Sequence, residues 1–218
     1  MKVINNTSDN YTILRNRMVE EQLIGRGIKN PKVLEAFRMV PRHLFVPLGL
    51  AHQAYADHPL PIGSEQTISQ PYIVALMTEH LDIQDSHRVL EVGTGSGYQT
   101  AIISLLSKIV YTIERIEELS LNARKILQRL GLTNIRYKIG DGTLGWKEFA
   151  PYDRIIVTAA SEFIPGPLQE QLAENGRIVI PLGKGYSQTL ILGVKYNGRI
   201  RQRRISECVF VPLVADNH

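Results

Sequence analysis

The sequence predicts an α/β fold: a doubly wound, mostly parallel sheet of about seven strands, preceded by an N-terminal helical region. Three observations carry this. From residue 86 onward, short apolar runs rich in branched residues alternate with amphipathic stretches. The glycines Gly93, Gly95 and Gly97 follow the first of those runs directly, as a tight turn from strand to helix requires. Before residue 81, apolar positions recur at helical spacing between Pro and Gly breaks.

Taken in order, residues 13–24 read as a helix with Leu14, Met18 and Leu23 on its apolar side, stopped by Gly25 and Gly27. Asn30 is placed to cap a second helix with Pro31 in its first turn. That helix buries Val33, Leu34 and Phe37 before Pro41 ends it. Residues 41–68, with Pro41, Pro47, Pro59, Pro61 and Gly63, read as loop, and a long irregular stretch in a compact chain is more often functional than idle. After Ser69-Gln70-Pro71, a helix runs through Val74, Leu76, Met77 and His80. Strands are then expected at 88–92, 109–113, 135–139, 152–158, 177–181, 189–196 and 203–212. Helices are expected at 98–106, 116–130 and 167–172.

The composition is that of an ordinary globular protein, 44% hydrophobic and 21% charged over 218 residues. A single cysteine, Cys208, excludes an internal disulfide and any multi-cysteine metal centre, and the histidines lack metal-ligand spacing, so no metal is expected. No apolar run approaches the ~18–20 residues that span a bilayer, and the N-terminus lacks the apolar core of a signal peptide. A cytoplasmic chain without membrane contact is therefore expected. The net charge of +4 is mild. Its densest basic run places Arg199, Arg201 and Arg203 on one face of a strand, which reads as a solvated face or a surface for acidic partners.

The turn reads Glu91-Val-Gly93-Thr94-Gly95-Ser96-Gly97-Tyr98. The dinucleotide fingerprint would carry its third glycine at Tyr98, and a phosphate loop would continue with Gly-Lys-Ser/Thr; neither is present. Glu114 ends the next strand, where a carboxylate can accept from both hydroxyls of a ribose, although it can also serve as a helix-start carboxylate. Asp141-Gly142 follows the third strand, where Asp can accept from an adenine amino group and Gly lets the backbone approach the ring. Alone, Asp-Gly is a common turn. Contacts from three successive strand ends suit S-adenosyl-L-methionine, with Glu91, Gly93, Thr94, Gly95, Ser96, Gly97, Glu114, Asp141 and Gly142 as the expected cofactor-binding residues. The fourth strand lacks the Asn/Asp-Pro-Pro-aromatic motif of amino-group methylation, and no Pro-Cys dipeptide supports attack on a pyrimidine carbon.

The run from Pro59 to Pro71, with its Gln66-Thr67-Ile68-Ser69-Gln70-Pro71 block, resembles the signature of protein-L-isoaspartate O-methyltransferases. Residues 88–100 are similar to that family's cofactor loop, Ile155 to Ala160 to its fourth strand, and Val40-Pro41-Arg42 and Phe210-Val211-Pro212-Leu213 to further family patterns. The resemblance covers roughly residues 14–213, with 1–13 beyond the family core. It implies a Rossmann-like methyltransferase fold, with residues 1–80 contributing to the substrate site and 81–218 forming the cofactor-binding unit. The implied reaction moves a methyl group from S-adenosyl-L-methionine, leaving S-adenosyl-L-homocysteine, to the free α-carboxylate of L-isoaspartyl residues in aged peptides and proteins. Ser69 matches the family's active-site serine. With Thr67 it is expected in the catalytic role, and Ile68, Ser69, Val211 and Pro212 are expected to bind substrate. Thr67 and Ser69 read equally well as caps for the helix after Pro71. A monomer that binds no nucleic acid is expected, and Trp146 is placed near the cofactor edge.

Overall fold

A computed structural model describes residues 9–185 and 187–215. The expected extension therefore lies outside the described residues at 1–8. Its remainder opens helix α1 (Asp9–Arg17), which starts before the expected helix because Tyr11 is anchored by stacking on His43, ring centroids 4.0 Å apart. The chain continues through a wide π-helical turn, Met18–Leu23, that turns Met18, Val19 and Leu23 inward. It stops at Gly27, whose φ of 94° is left-handed. Helix α2 (Pro31–Met39) is capped as expected: the Asn30 side chain accepts from the amides of Lys32 and Val33 at 3.0 and 3.4 Å.

The segment expected to be loop contains short 3-10 turns and a hairpin, β1 (Leu60–Gly63) with β2 (Gln66–Ile68), in which Leu60 faces Ile68 and Pro61 faces Thr67. Pro59 and Pro61 disguise it, yet a two-stranded ribbon has free edges where proline costs no ladder bond. Ser64 and Glu65 turn it with φ of 49° and 57°. Helix α3 (Pro71–Leu81) follows at once.

The remaining chain builds one sheet. Its strands are β3 (Arg88–Val92), β4 (Ile109–Glu114), β5 (Ile135–Ile139), β6 (Tyr152–Val157), β7 (Leu172–Lys184), β8 (Ser187–Tyr196) and β9 (Arg199–Cys208). Helices α4 (Tyr98–Leu106), α5 (Glu117–Arg129) and α6 (Gly166–Gln171) connect them. The order is β5-β4-β3-β6-β7-β8-β9, parallel through β7 and antiparallel beyond. Strand order reverses between β3 and β6, so the crevice at their carboxyl ends is where such a sheet takes a ligand.

Two strands differ from expectation. β7 begins at Leu172, before the Asn175-Gly176 turn signal, because the chain pairs with Tyr152, bulges, and resumes at Arg177 opposite Arg154. β9 lies earlier than 203–212: the arginine-rich run is itself the edge strand, and charged side chains suit an edge open to water. Residues 209–213 then cross the ends of the neighbouring strands. Leu213 donates its amide to the Ala160 carbonyl at 2.7 Å, and Ala160 donates to that of Val211 at 2.8 Å.

One buried apolar cluster joins Met18, Leu23, Phe37 and Met77 to Val89, Ile102, Val179 and Leu192, so the N-terminal helices and one face of the sheet share a core. The other face is filled by Leu90, Tyr111, Ile155 and Leu168. No described helix is long and apolar enough to cross a membrane.

Candidate active site

The turn after β3 is clamped from the side. Thr158, just past β6, donates its hydroxyl to the carbonyl of Gly93 at 2.7 Å and lies 3.1 Å from that of Val92. Gly93 has φ of 96°, and a β-carbon there would press into the Thr158 hydroxyl. Gly97 meets a different demand. It caps α4 at φ of 86°, and a β-carbon would lie 3.0 Å from that of Ala123 in α5. Gly97 therefore lets two helices approach and does not line the cavity.

That cavity opens at the switch point. Its one wall is Gly93, Thr94, Gly95, Ser96, Glu114 and Gly142. Thr67, Ile68 and Ser69 line the same cavity from the hairpin and the residues leading into α3, and Val211 and Pro212 line it from the crossing segment. Glu114 is buried, with Oε2 accepting from the Gly95 amide at 2.8 Å and Oε1 from the Ile116 amide at 3.0 Å. A carboxylate oxygen has two lone pairs, so each can accept once more from the cavity. The carboxylate thus braces the start of α5 and faces a ligand at once. The capping alternative for Thr67 and Ser69 does not hold: Gln70 occupies the cap of α3, and no side chain bonds there.

Two expected cofactor residues stand behind the wall. Glu91 is 0% exposed, and its Oε2 accepts from the hydroxyls of Thr100 at 2.5 Å and Thr112 at 2.6 Å. Thr94 and Thr112 share a hydroxyl contact of 2.6 Å. Because Thr112 gives its proton to Glu91, Thr94 donates to Thr112. Glu91 thus reaches the loop through two threonines rather than reaching a ligand. Asp141 accepts from the amide and hydroxyl of Thr143 at 2.8 and 2.7 Å, capping a 3-10 turn, and its neighbour Gly142 faces the cavity. Trp146 does not line the cavity; it packs with Tyr111 and Phe149 against the cluster that holds the cavity-lining Val92 and Ile113.

Burial raises the Glu91 carboxyl to about 8, against the lowering effect of Thr100 and Thr112. Its ordinary value is 4.5, so the unfolded chain releases this proton first. Its contribution to stability is full below that value and is lost as pH rises to about 8, with a slope of about 1.4 kcal/mol per pH unit. Urea midpoints across the window should therefore fall more steeply for the native chain than for Glu91→Gln. Equal slopes would assign the proton to another group.

Thr158 is a site residue that spacing does not single out; its signals are its place just after a central strand and its inclusion in the stretch 155–160 that resembles the family's fourth strand. Among the described residues, no group of three His, Cys, Asp or Glu side chains is placed to hold a metal ion.

A family model described as Protein-L-isoaspartate(D-aspartate) O-methyltransferase matches residues 14–218. The chain is 54% identical over 206 residues to a protein-L-isoaspartate O-methyltransferase of Trichlorobacter lovleyi, covering 94% of this chain and 95% of that one. To the enzyme of that name from Dictyoglomus turgidum it is 56% identical over 203 residues, 93% and 92% of the two chains. Among solved structures, a putative protein-L-isoaspartate O-methyltransferase from Plasmodium falciparum, in complex with S-adenosyl-L-homocysteine, superposes with a TM-score of 0.80. It is 27% identical, with 93% of this chain and 99% of that chain covered. A second, longer protein-L-isoaspartate O-methyltransferase gives a TM-score of 0.81 at 29% identity, covering 91% of this chain and 65% of that one.

Proposed function

Because this chain belongs to the protein-L-isoaspartate O-methyltransferase family, we propose that its cavity divides the labour of that reaction between a donor wall at 93–96, 114 and 142 and an acceptor wall at 67–69 and 211–212. The chain is a protein repair methyltransferase that uses S-adenosyl-L-methionine. It methylates the free α-carboxylate of L-isoaspartyl residues, and the ester proceeds through succinimide towards aspartate. The observation that carries the division is that Thr67 and Ser69 line one cavity together with the glycine turn.

The donor wall fits a nucleoside: glycine backbone for close approach, and a braced Glu114 carboxylate for two ribose hydroxyls. When bound, S-adenosyl-L-methionine supplies an electrophilic methyl on a cationic sulfur. The acceptor is a carboxylate with a pKa near ~4, already ionised at neutral pH, so no general base is required of the chain. The hydroxyls of Ser69 and Thr67 hold that carboxylate in position, and positioning alone can supply a large effective concentration. Val211 and Pro212 exclude water from it. Gly142, supported by the capped turn at Asp141, backs the adenine.

Residues 1–80 contribute to the acceptor site and 81–218 form the cofactor-binding unit, which also lends Val211 and Pro212 to the acceptor wall, on a cytoplasmic monomer whose partners are isoaspartyl peptides and proteins rather than nucleic acid. Support comes from the mild net charge and from a basic edge strand already engaged by its neighbours: Arg201 lies over Tyr196, and Arg204 pairs with Glu207. Salt-sensitive RNA binding would count against this.

Ser69→Ala should raise KM for an isoaspartyl peptide about tenfold, the cost of one hydrogen bond to a charged group, with cofactor affinity unchanged. A base-labile methyl ester should form on the isoaspartyl peptide and not on its aspartyl isomer. An unchanged KM would move the acceptor away from Ser69.

A further inference from the structure

We propose that Arg42 is the positioning residue of the acceptor site, a buried cation that fixes the Ser69 segment against the helix of the cofactor turn and supplies the charge the acceptor carboxylate answers. The inference rests on the reading of Thr67 to Ser69 as the acceptor wall.

Arg42 is 0% exposed, among the largest of the fully buried side chains. Its Nε donates to the Ala54 carbonyl and its Nη2 to the Ser69 carbonyl, both at 2.7 Å. Its guanidinium carbon lies 4.8 Å from the centroid of the Tyr98 ring. Tyr98 is the first residue of α4, follows Gly97 directly, and itself lines the cavity. One planar group therefore joins the segment before the hairpin, the acceptor wall and the start of the helix that carries the donor turn.

Such a fork matches two carbonyls and a ring face in a way that a lysine ammonium cannot. The charge is the second half of the argument. Among the described residues no carboxylate pairs with Arg42: its bonds go to carbonyls, whose dipoles solvate the cation without neutralising it. Burial pushes the guanidinium down to about 10, partly opposed by Tyr98 and Tyr55, so it stays a cation at neutral pH. Arg15, also buried and without a carboxylate partner among the described residues, acts on Tyr55 and Tyr98 with the same sign. Away from water these charges act at longer range than exposed ones. The acceptor side of the cavity is thus backed by a buried cation beside Ser69 and Tyr98, while Glu114 and Arg115 line it from the end of β4.

The test compares Arg42→Met, Arg42→Lys and Ser69→Ala in the full chain. Peptide KM, kcat, cofactor Kd and melting temperature are measured for each. The Met variant should raise peptide KM at least about tenfold, with cofactor Kd within about twofold. The Lys variant should recover most of that KM, because the charge returns, while its kcat stays depressed, because the fork does not. Unchanged KM in the Met variant overturns the proposal, as do parallel losses of KM and cofactor Kd in both variants, the mark of a general structural role. If the Met variant does not fold, the Lys variant decides: lowered kcat at unchanged cofactor Kd is expected, and native kcat overturns the proposal. Ser69→Ala separates the two failures. A raised KM there beside an unaffected Arg42→Met removes Arg42 alone, whereas no effect at Ser69 removes the acceptor wall on which the proposal stands.

Discussion

Gly93→Ala is expected to abolish measurable methyl transfer by weakening S-adenosyl-L-methionine binding at least about a hundredfold, or ~3 kcal/mol. Two costs combine. The residue sits at φ of 96°, where a side chain adds roughly 1–3 kcal/mol of strain. The new β-carbon also collides with the Thr158 hydroxyl, which must then leave the Gly93 and Val92 carbonyls it holds. Each consequence moves the turn off the end of β6 and into the space a ligand would fill. Gly49→Ala is the control, since nothing lies within 4 Å of a β-carbon there. Isothermal titration of cofactor into both variants checks the expectation. Near-native affinity in Gly93→Ala would mean that the turn is not the donor wall.

The second large effect is expected at Glu114. Removal of its carboxylate in Glu114→Ala should lower cofactor affinity by about a hundredfold or more, on the scale of two hydrogen bonds to a charged acceptor. The more telling variant is Glu114→Gln. Both carboxylate oxygens already accept a backbone amide, from Gly95 and from Ile116. A glutamine has one acceptor and one amino group, so one of those amides must face a donor. The isosteric change should therefore hurt almost as much as truncation and should lower melting temperature with affinity. A glutamine variant that retains most of the affinity would show that the braces at Gly95 and Ile116 do not matter.

The parts of the site that pattern reveals are those with a backbone reason. Glycines after a strand, a carboxylate at the tip of the next and Asp-Gly after the third stand at consecutive strand ends, and the sheet gathers them at one crevice. Pattern does not report which way a side chain leaves the backbone. Glu91 belongs to the same motif as Gly93, yet it turns inward to Thr100 and Thr112. Gly97 belongs to it as well, and answers to Ala123 in another helix. The hairpin at Leu60–Gly63 and Gln66–Ile68 hides behind two prolines, because breaker signals describe central strands and this ribbon is all edge. The last strand lies earlier than alternation of apolar residues suggests, since an edge in water needs no such alternation. Arg42 is the extreme case: a buried cation has no period, and only the carbonyls of Ala54 and Ser69 give its place a meaning.

The crossing of residues 209–213 over the strand ends sets an order of assembly. A ribosome makes the glycine turn, Glu114 and Asp141 well before Val211 and Pro212, which complete the cavity while Val211 and Leu213 bond to Ala160. The half that would grip the methyl donor can thus form on a nascent chain, while the recess proposed for the damaged residue stays open to water until residues 209–213 emerge. Catalytic competence then waits on a segment laid across strand ends that precede it in the chain.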